Sequence, residues 1–161
     1  MPRCRFSLAI AIVAVISMSL PRAGMADWEY TEWGMTLDNV IAASPVKLTR
    51  LDEKVQQQSR TYVSDGRSAA MLAGLHVEGA YTYLALFYFD IDSRKLVSVN
   101  LDLKSMKLAD QLLRELTKTH GASVESSELM PGFFSRVWED DSNRIVFLRT
   151  FETAKLSFFA R

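Results

Sequence analysis

The chain has two histidines, His76 and His120, and imidazole is the side chain best suited to general acid–base chemistry near neutral pH. Neither has a second histidine or a cysteine at the spacing of a zinc site, and no serine lies in a Gly-x-Ser-x-Gly turn. His76 with a nearby carboxylate would be the route to a hydrolase. Because no partner is visible in the sequence, both histidines are predicted to be structural, and we expect a protein that is not an enzyme.

Two acidic clusters are the other candidates for chemistry, since carboxylates can hold calcium. They are Asp90 with Asp92, and the run 139–141. A helix-loop-helix calcium loop needs alternating acids followed by a glycine and a distant glutamate. Here Arg94 and Lys95 stand at the positions that follow Asp90 and Asp92. Each cluster also falls between two predicted strands, where Asp, Ser and Asn commonly form turns. We therefore expect turns, with no bound metal and no cofactor.

Aromatic side chains are the best sign of a binding function. Some lie at the start of the predicted mature chain, and others are concentrated in the predicted strand 81–89. That strand is apolar on both faces. Exposed together, they would mark a partner or ligand surface; buried, they would fill the core and pin the N-terminus to the sheet. Helices can cover only one face, so residues on the other face need another cover. The candidate interaction residues are Trp28, Tyr30, Trp33, Tyr81, Tyr83, Phe87 and Phe89.

The first 26 residues have the pattern of a cleavable export signal. Two arginines precede the apolar run 6–20, and small residues at Gly24 and Ala26 predict cleavage after Ala26. The alternative is an uncleaved membrane anchor, but the run is short for a bilayer span. Cys4 precedes the apolar run, whereas a lipoprotein cysteine follows it. We expect a protein released into the periplasm or secreted, with no stable membrane anchor.

Removing that signal leaves 135 residues, 27–161, enough for one domain with one hydrophobic core. The 16 basic and 19 acidic residues that remain give a net charge of −3, which argues against nucleic acid as a partner. The mature chain has no cysteine, so packing rather than disulfides must stabilise it. That composition favours a bacterial periplasm.

Hydrophobic periodicity predicts an α+β fold in which the order helix, three strands occurs twice. Thr36 caps a first helix over 37–44, and residues 46–68 are polar and are expected to be mostly loop. Ser105 is predicted to cap a second helix, which Gly121 ends. We expect an antiparallel sheet with both helices on one face. The predicted helices cover about 37–44 and 106–120, and the predicted strands 71–77, 81–89, 97–103, 135–139, 144–151 and 155–160.

A short internal match suggests duplication of this α-β-β-β unit. Residues 92–97 and 141–146 are each a polar turn that enters a strand, with similar residues in order. The predicted repeats are about 27–104 and 105–161.

The Thr36-capped helix behind Trp33-Gly34-Met35 and the meander ending in the Asp90 to Lys95 turn resemble small bacterial periplasmic proteins of the β-lactamase-inhibitor-like group. That fold group includes the small lipoprotein of the outer-membrane β-barrel assembly machinery. The resemblance implies a non-enzymatic protein that presents a surface to another envelope protein. This chain lacks the anchor cysteine of that lipoprotein and the disulfide cysteines of the inhibitors, and no functional residue carries over.

We therefore expect a small exported interaction protein, monomer or homodimer, whose sheet face or sheet edge engages another envelope protein. Two alternatives stay open. The aromatic residues would line a closed pocket if the protein carries a small apolar ligand, which a cavity between sheet and helices would favour. A hydrolase would instead need His76 in a cleft beside a carboxylate.

Overall fold

The computed structural model describes residues 28–63 and 66–161. In these ranges the chain forms an α+β fold with one antiparallel sheet and three α-helices. The predicted export signal, with Cys4 and the cleavage site after Ala26, lies outside the described residues, as do positions 64 and 65 of the predicted loop.

The elements follow in chain order. The first half contains helix α1 (Leu37–Ala43), strand β1 (Thr49–Arg50), helix α2 (Glu53–Gln58) and strands β2 (Thr61–Val63), β3 (Gly66–Glu78), β4 (Tyr81–Asp90) and β5 (Leu96–Leu103). In the second half, a 3-10 turn (Met106–Leu108) leads into helix α3 (Ala109–His120), which is followed by strands β6 (Glu125–Met130), β7 (Phe133–Glu139), β8 (Asn143–Arg149) and β9 (Ala154–Ala160).

Local sequence explains where the helices begin and end. The Thr36 hydroxyl accepts a hydrogen bond from the backbone N–H of Asn39, which confirms the predicted cap of α1. Gly121 ends α3 with φ +79°, a conformation that favours glycine. Ser105 makes no side-chain capping bond, because the helix opens with the 3-10 turn at Met106.

The sheet contains nine strands, eight of them in the continuous order β1-β3-β4-β5-β9-β8-β7-β6, while β2 pairs with the far end of β3. Every pairing is antiparallel. Strands β5 and β9 meet in the middle, with Leu101 opposite Leu156. The two meanders of the chain therefore form one surface rather than two separate layers.

Two parts of the sequence behave differently from the prediction. Residues 46–68, expected to be mostly loop, contain β1, α2 and β2, which are short. Strand β6 was not predicted, because Glu-Ser-Ser-Glu-Leu-Met has no alternation of apolar and polar residues. All six β6 residues are exposed, so no buried face imposes that alternation.

One face of the sheet, the core face, carries the hydrophobic core. Val40 of α1 and Leu112 and Leu116 of α3 belong to the same buried cluster as the side chains of this face. By strand register, the core face presents Tyr83, Ala85, Phe87 and Phe89 of β4, Val99 and Leu101 of β5, Trp138 of β7, Ile145 and Phe147 of β8, and Leu156 of β9.

Candidate functional site

The candidate interaction residues lie in or against the core. Trp28 is 5 % exposed, Tyr81 is 6 % exposed, and the β4 aromatics between Tyr83 and Phe89 are almost fully buried. Tyr30 and Trp33 are half-buried and pack against the same cluster. Of the two alternatives, the structure has the buried one: all seven candidates lie in the core cluster or pack against it, namely Trp28, Tyr30, Trp33, Tyr81, Tyr83, Phe87 and Phe89.

Trp28 explains why the β4 aromatic residues are closed off. Its ring lies edge-on to Phe87, with 5.6 Å between centroids, and edge-on to His76 at 5.1 Å. Phe158 of β9 lies 6.3 Å from the same ring. A tryptophan in contact with three strands buries a large apolar area, so the segment that carries it stabilises this part of the core.

The segment 28–36, which we name the N-terminal strap, is held at its other end by hydrogen bonds. Trp33 Nε1 donates to Asn143 Oδ1 at 3.1 Å. The backbone N–H of Gly34 donates to the carbonyl of Leu96, and the N–H of Leu96 donates to the carbonyl of Met35, each at 2.9 Å. The strap therefore runs over the core side from β3 and β4 to the start of β5 and β8.

The other face of the sheet, which we name the open face, is rich in apolar side chains. None of its side chains belongs to the core cluster. Leu75 and Val77 are 59 % and 66 % exposed. Its apolar members are Ala73, Leu75 and Val77 of β3, Leu84, Leu86 and Tyr88 of β4, Val137 of β7, Val146 and Leu148 of β8, and Phe159 of β9.

Polar side chains run down the middle of the open face and divide it into two apolar patches. Lys155 Nζ lies 3.4 Å from Asp102 Oδ1 across the β5–β9 pair. Asn100, opposite Ser157, has its Oδ1 buried with no hydrogen-bond partner in the described part of the chain. A buried acceptor without a donor costs about 1–3 kcal/mol, so Asn100 is an energetically unfavourable polar group in the middle of this face.

Charged residues form one rim of the open face. Arg144 donates to Glu125 at 2.7 Å and to Glu139 at 2.8 Å, which ties β8 to strands β6 and β7. The hydrogen bond that Arg144 donates to Glu125, together with the charges of Glu125 and Glu139, outweighs desolvation and raises the pKa of Arg144 above its ordinary value. An apolar centre with a charged rim is the usual anatomy of a protein interface.

A cavity of about 420 Å³ lies between α3, the turn from β3 to β4, and β9. Leu112, Leu116 and Phe158 form part of its apolar wall. Tyr81 Oη is buried near Glu115 and Gln111 without a hydrogen bond of normal geometry to either, and burial, with the nearby Glu115 carboxylate, raises the pKa of Tyr81 to about 12. The phenol therefore stays protonated at neutral pH.

The two histidines are not arranged for hydrolysis. The His76 ring packs between Trp28 and Tyr83, with its Nε2 buried and unpartnered, and no carboxylate among the described residues bonds to it. His120 is exposed at the end of α3, 6.4 Å from the ring of Trp138. Side chains alternate along β3, so Leu75 and Val77 point to the open face and His76, between them, points to the core face.

The acidic clusters form turns. Asp90 Oδ1 accepts hydrogen bonds from the backbone N–H and the hydroxyl of Ser93, which hold the pKa of Asp90 below its ordinary value. Asp140 Oδ1 accepts from the backbone N–H groups of Ser142 and Asn143. Partial burial of Asp140 raises its pKa, but these hydrogen bonds have the larger combined effect and lower the pKa below its ordinary value. Nowhere in the described ranges do three His, Cys, Asp or Glu side chains group to hold a metal ion.

No protein-family model, no curated protein and no solved structure matches this chain. Within the described ranges, no helix has both the length and the apolar character needed to cross a membrane.

Proposed function

We propose that this is an exported, non-enzymatic protein that binds another protein of the cell envelope through the open face of its sheet. The observation that carries the proposal is the row of leucine and valine side chains on a face that lies outside the core cluster. Antiparallel sheets with one wet face normally alternate apolar and polar residues, but β4 is apolar on both faces. Contiguous exposed apolar surface on a small protein marks an interaction site.

The chemistry of the open face indicates what the partner presents. The open face has one apolar patch around Leu84 on β4 and another around Leu148 on β8, and the Asp102–Lys155 pair lies between the two patches. The partner is therefore expected to make two separate apolar contacts. We expect a partner surface rich in aliphatic or aromatic side chains with a polar margin.

Site-specific photo-crosslinking in the native cell tests this proposal. A photoreactive phenylalanine analogue placed at Leu84 or at Leu148 should give the same crosslinked product of defined mass, since both positions lie on the open face. The same analogue at Val55 or Phe151, which are exposed elsewhere, is the matched control and should not give that product. Equal products from all four positions, or none from the open face, would contradict the proposal.

The cavity beside Tyr81 supports a second candidate, a carrier of a small amphipathic molecule. Leucines line it, and Tyr81, Gln111 and Glu115 supply polar groups. Native mass spectrometry of protein purified under mild conditions tests this function. A bound small molecule that is lost in Leu116→Trp, which fills the cavity, supports the carrier; an empty wild-type protein argues against it.

Export is also a proposal, supported by the residue pattern of the first 26 positions. Intact-mass measurement of the native product should give a chain that begins at Asp27, recovered from the periplasm or the medium. A product that retains Met1 and remains in the cytosol would contradict export.

We further infer that α1 and α3 lie on the same side of the sheet and that the chain contains a duplicated unit. Val40 and Leu112 in one buried cluster support the first inference. The paired aspartate turns at Asp90 and Asp140 support the second. With β6 included, the matching turns would relate β3-β4-β5 to β6-β7-β8, with β9 as an added strand, rather than relating β3-β4-β5 to β7-β8-β9.

A further inference from the structure

The cavity between α3, the β3–β4 turn and β9 has an apolar interior and a polar mouth. Its volume of about 420 Å³ lies in the range of small-molecule binding sites. The buried side chains of its wall include Leu112 and Leu116 of α3 and Leu156 of β9. Gln111 and Glu115, which also line it, are exposed and lie one turn apart on α3. An occupant therefore meets aliphatic side chains inside the cavity and polar groups where the cavity opens to solvent.

Carboxylates lie on two sides of the mouth. Glu78, the last residue of β3, lines the cavity from the β3–β4 turn, and Glu115 lines it from α3. Both residues are exposed. Burial is the main cause that raises the pKa of Tyr83, another residue of the wall, and the negative charges of Glu78 and Glu115 raise it further. Two carboxylates that act on one phenol lie near the same part of the cavity.

Positive charge is scarce in the cavity wall. Among the described residues that line it there is no lysine or arginine, and His120 at the end of α3 is the one imidazole. The Gln111 side chain donates a hydrogen bond to Glu115 Oε1 at 3.0 Å, which is the main cause of a pKa of Glu115 below its ordinary value. The charges of Arg114 and Lys118 lower that pKa further, but neither residue lines the cavity. The Glu115 carboxylate is therefore charged at neutral pH.

The hydroxyl of Tyr81 is an independent sign that the cavity holds a ligand. Tyr81 lines the cavity and is 6 % exposed, and its Oη has no hydrogen-bond partner in the described part of the chain. Buried polar groups in folded proteins nearly always have a partner, so an unpaired hydroxyl beside a cavity points to an occupant that supplies one. The Tyr81 and Tyr83 rings, with 6.1 Å between centroids, also make this wall aromatic, and aromatic rings attract cations.

We propose that the cavity binds a lipophilic amine, with its apolar chain against Leu112 and Leu116 and its ammonium group between Glu78 and Glu115. The ammonium group supplies N–H donors for the carboxylates and for the Tyr81 oxygen. An anionic amphiphile would place its charge beside two carboxylates in a wall without lysine or arginine among its described residues, which is unfavourable. The proposal rests on the second candidate function, the carrier, and deepens it by naming the class of ligand.

Isothermal titration calorimetry with three probes that share one alkyl chain tests the proposal. The probes are decylamine, decanol and decanoate, each used below the concentration at which it aggregates, at neutral pH, on protein purified after expression of the full-length chain. Decylamine should bind with one molecule per protein. Decanoate should bind at least about tenfold more weakly, because only the sign of the head-group charge opposes it, and decanol should lie between the two.

Two variants remove the carboxylates one at a time. Glu78→Gln and Glu115→Gln should each weaken decylamine binding by about threefold to fivefold, the effect of one partly exposed ion pair, and should weaken decanol binding less. Glu152→Gln, which neutralises an exposed carboxylate in the turn between β8 and β9, is the matched control and should bind decylamine like the wild type. Circular dichroism establishes that the three variants keep the fold.

Three results would overturn the proposal. Decanol and decanoate that bind as tightly as decylamine would remove the preference for an amine but leave the carrier function standing. Decylamine binding that is unchanged in folded Leu116→Trp would place the amine outside the cavity. If none of the three probes binds, the amine proposal fails, and native mass spectrometry of the purified protein decides separately whether the cavity carries another class of molecule. None of these results affects crosslinking from Leu84 and Leu148.

Discussion

The two faces of strand β4 are both apolar, but they differ in burial. Phe87 and Phe89 on the core face are fully buried within the core cluster, whereas Leu84 and Leu86 on the open face lie outside that cluster. The sheet thus has one face that is completed by this chain and one face that is left with apolar surface.

That difference teaches which aromatic residues matter for stability and which aliphatic residues matter for binding. Large aromatic rings with many neighbours contribute most of the core burial. Open-face side chains such as Leu75 and Val77 gain less from folding because they remain in contact with water, and they gain more when a partner covers them. Changes on the two faces should therefore separate stability from interaction.

The largest effect on stability is expected when a side chain on the core face of β4 is truncated. Phe87→Ala should lower the free energy of unfolding by about 3–5 kcal/mol, because it removes a fully buried ring that contacts Trp28. Leu86→Ala, one residue away on the open face, should cost about 1 kcal/mol. Urea unfolding followed by fluorescence gives both values, and equal losses would remove the distinction between the faces.

A smaller loss is expected where the segment before β1 crosses the core side of β3. Gly74→Ala should cost about 1–3 kcal/mol, since the new Cβ would lie 2.6 Å from Leu48 Cδ2. Shortening the opposing side chain with Leu48→Ala should relieve most of that cost, which a double-mutant cycle measures. If the two changes are simply additive, Leu48 does not cause the clash.

A change of opposite sign is expected in the middle of the open face. Asn100→Leu should raise the free energy of unfolding by about 1 kcal/mol, because it removes a buried acceptor that lacks a donor. Asn100→Asp, which keeps the acceptors and adds a charge, should lower it. Thermal or urea unfolding of the two variants checks the prediction. A loss of stability in Asn100→Leu would show that Asn100 supports the fold by itself.

The smallest effect is confined to alkaline solution and concerns Tyr81. Burial raises the pKa of Tyr81 to about 12, so the folded state favours the neutral phenol. The associated stability is present below the ordinary tyrosine pKa, about 10, and is lost as the pH rises toward 12. Tyr81→Phe should flatten that part of the stability profile, while Tyr83, whose pKa burial also raises, still titrates late. An unchanged profile would contradict the assignment.

Periodicity predicted the long elements well, because their burial is one-sided and local. Helix α3, with Leu112 and Leu116 on one stripe, and strand β5, with Val99 and Leu101 alternating with polar residues, have the expected type and nearly the expected bounds. Strands β1, β2 and β6 escaped prediction. They are short or fully exposed, and their pairing comes from tertiary contacts rather than from a hydrophobic pattern.

The candidate site was only half predictable. That β4 is apolar on both faces can be read from its residues, and it indicates that one face needs a cover outside the helices. Which face stays open depends on residues distant in sequence, because Trp28 of the N-terminal strap packs edge-on against Phe87 on the aromatic side. No local pattern around Leu84 or Leu148 distinguishes a leucine that faces a partner from one that faces the core.

The central claim is that a partner covers the open face, and carbene footprinting of purified protein and of intact cells tests it most directly. We predict that Leu84 and Leu148 are labelled in the purified protein and protected in cells, while Phe151, which is 66 % exposed on a turn, is labelled in both. Equal labelling of Leu84 and Leu148 in the two preparations would contradict the account.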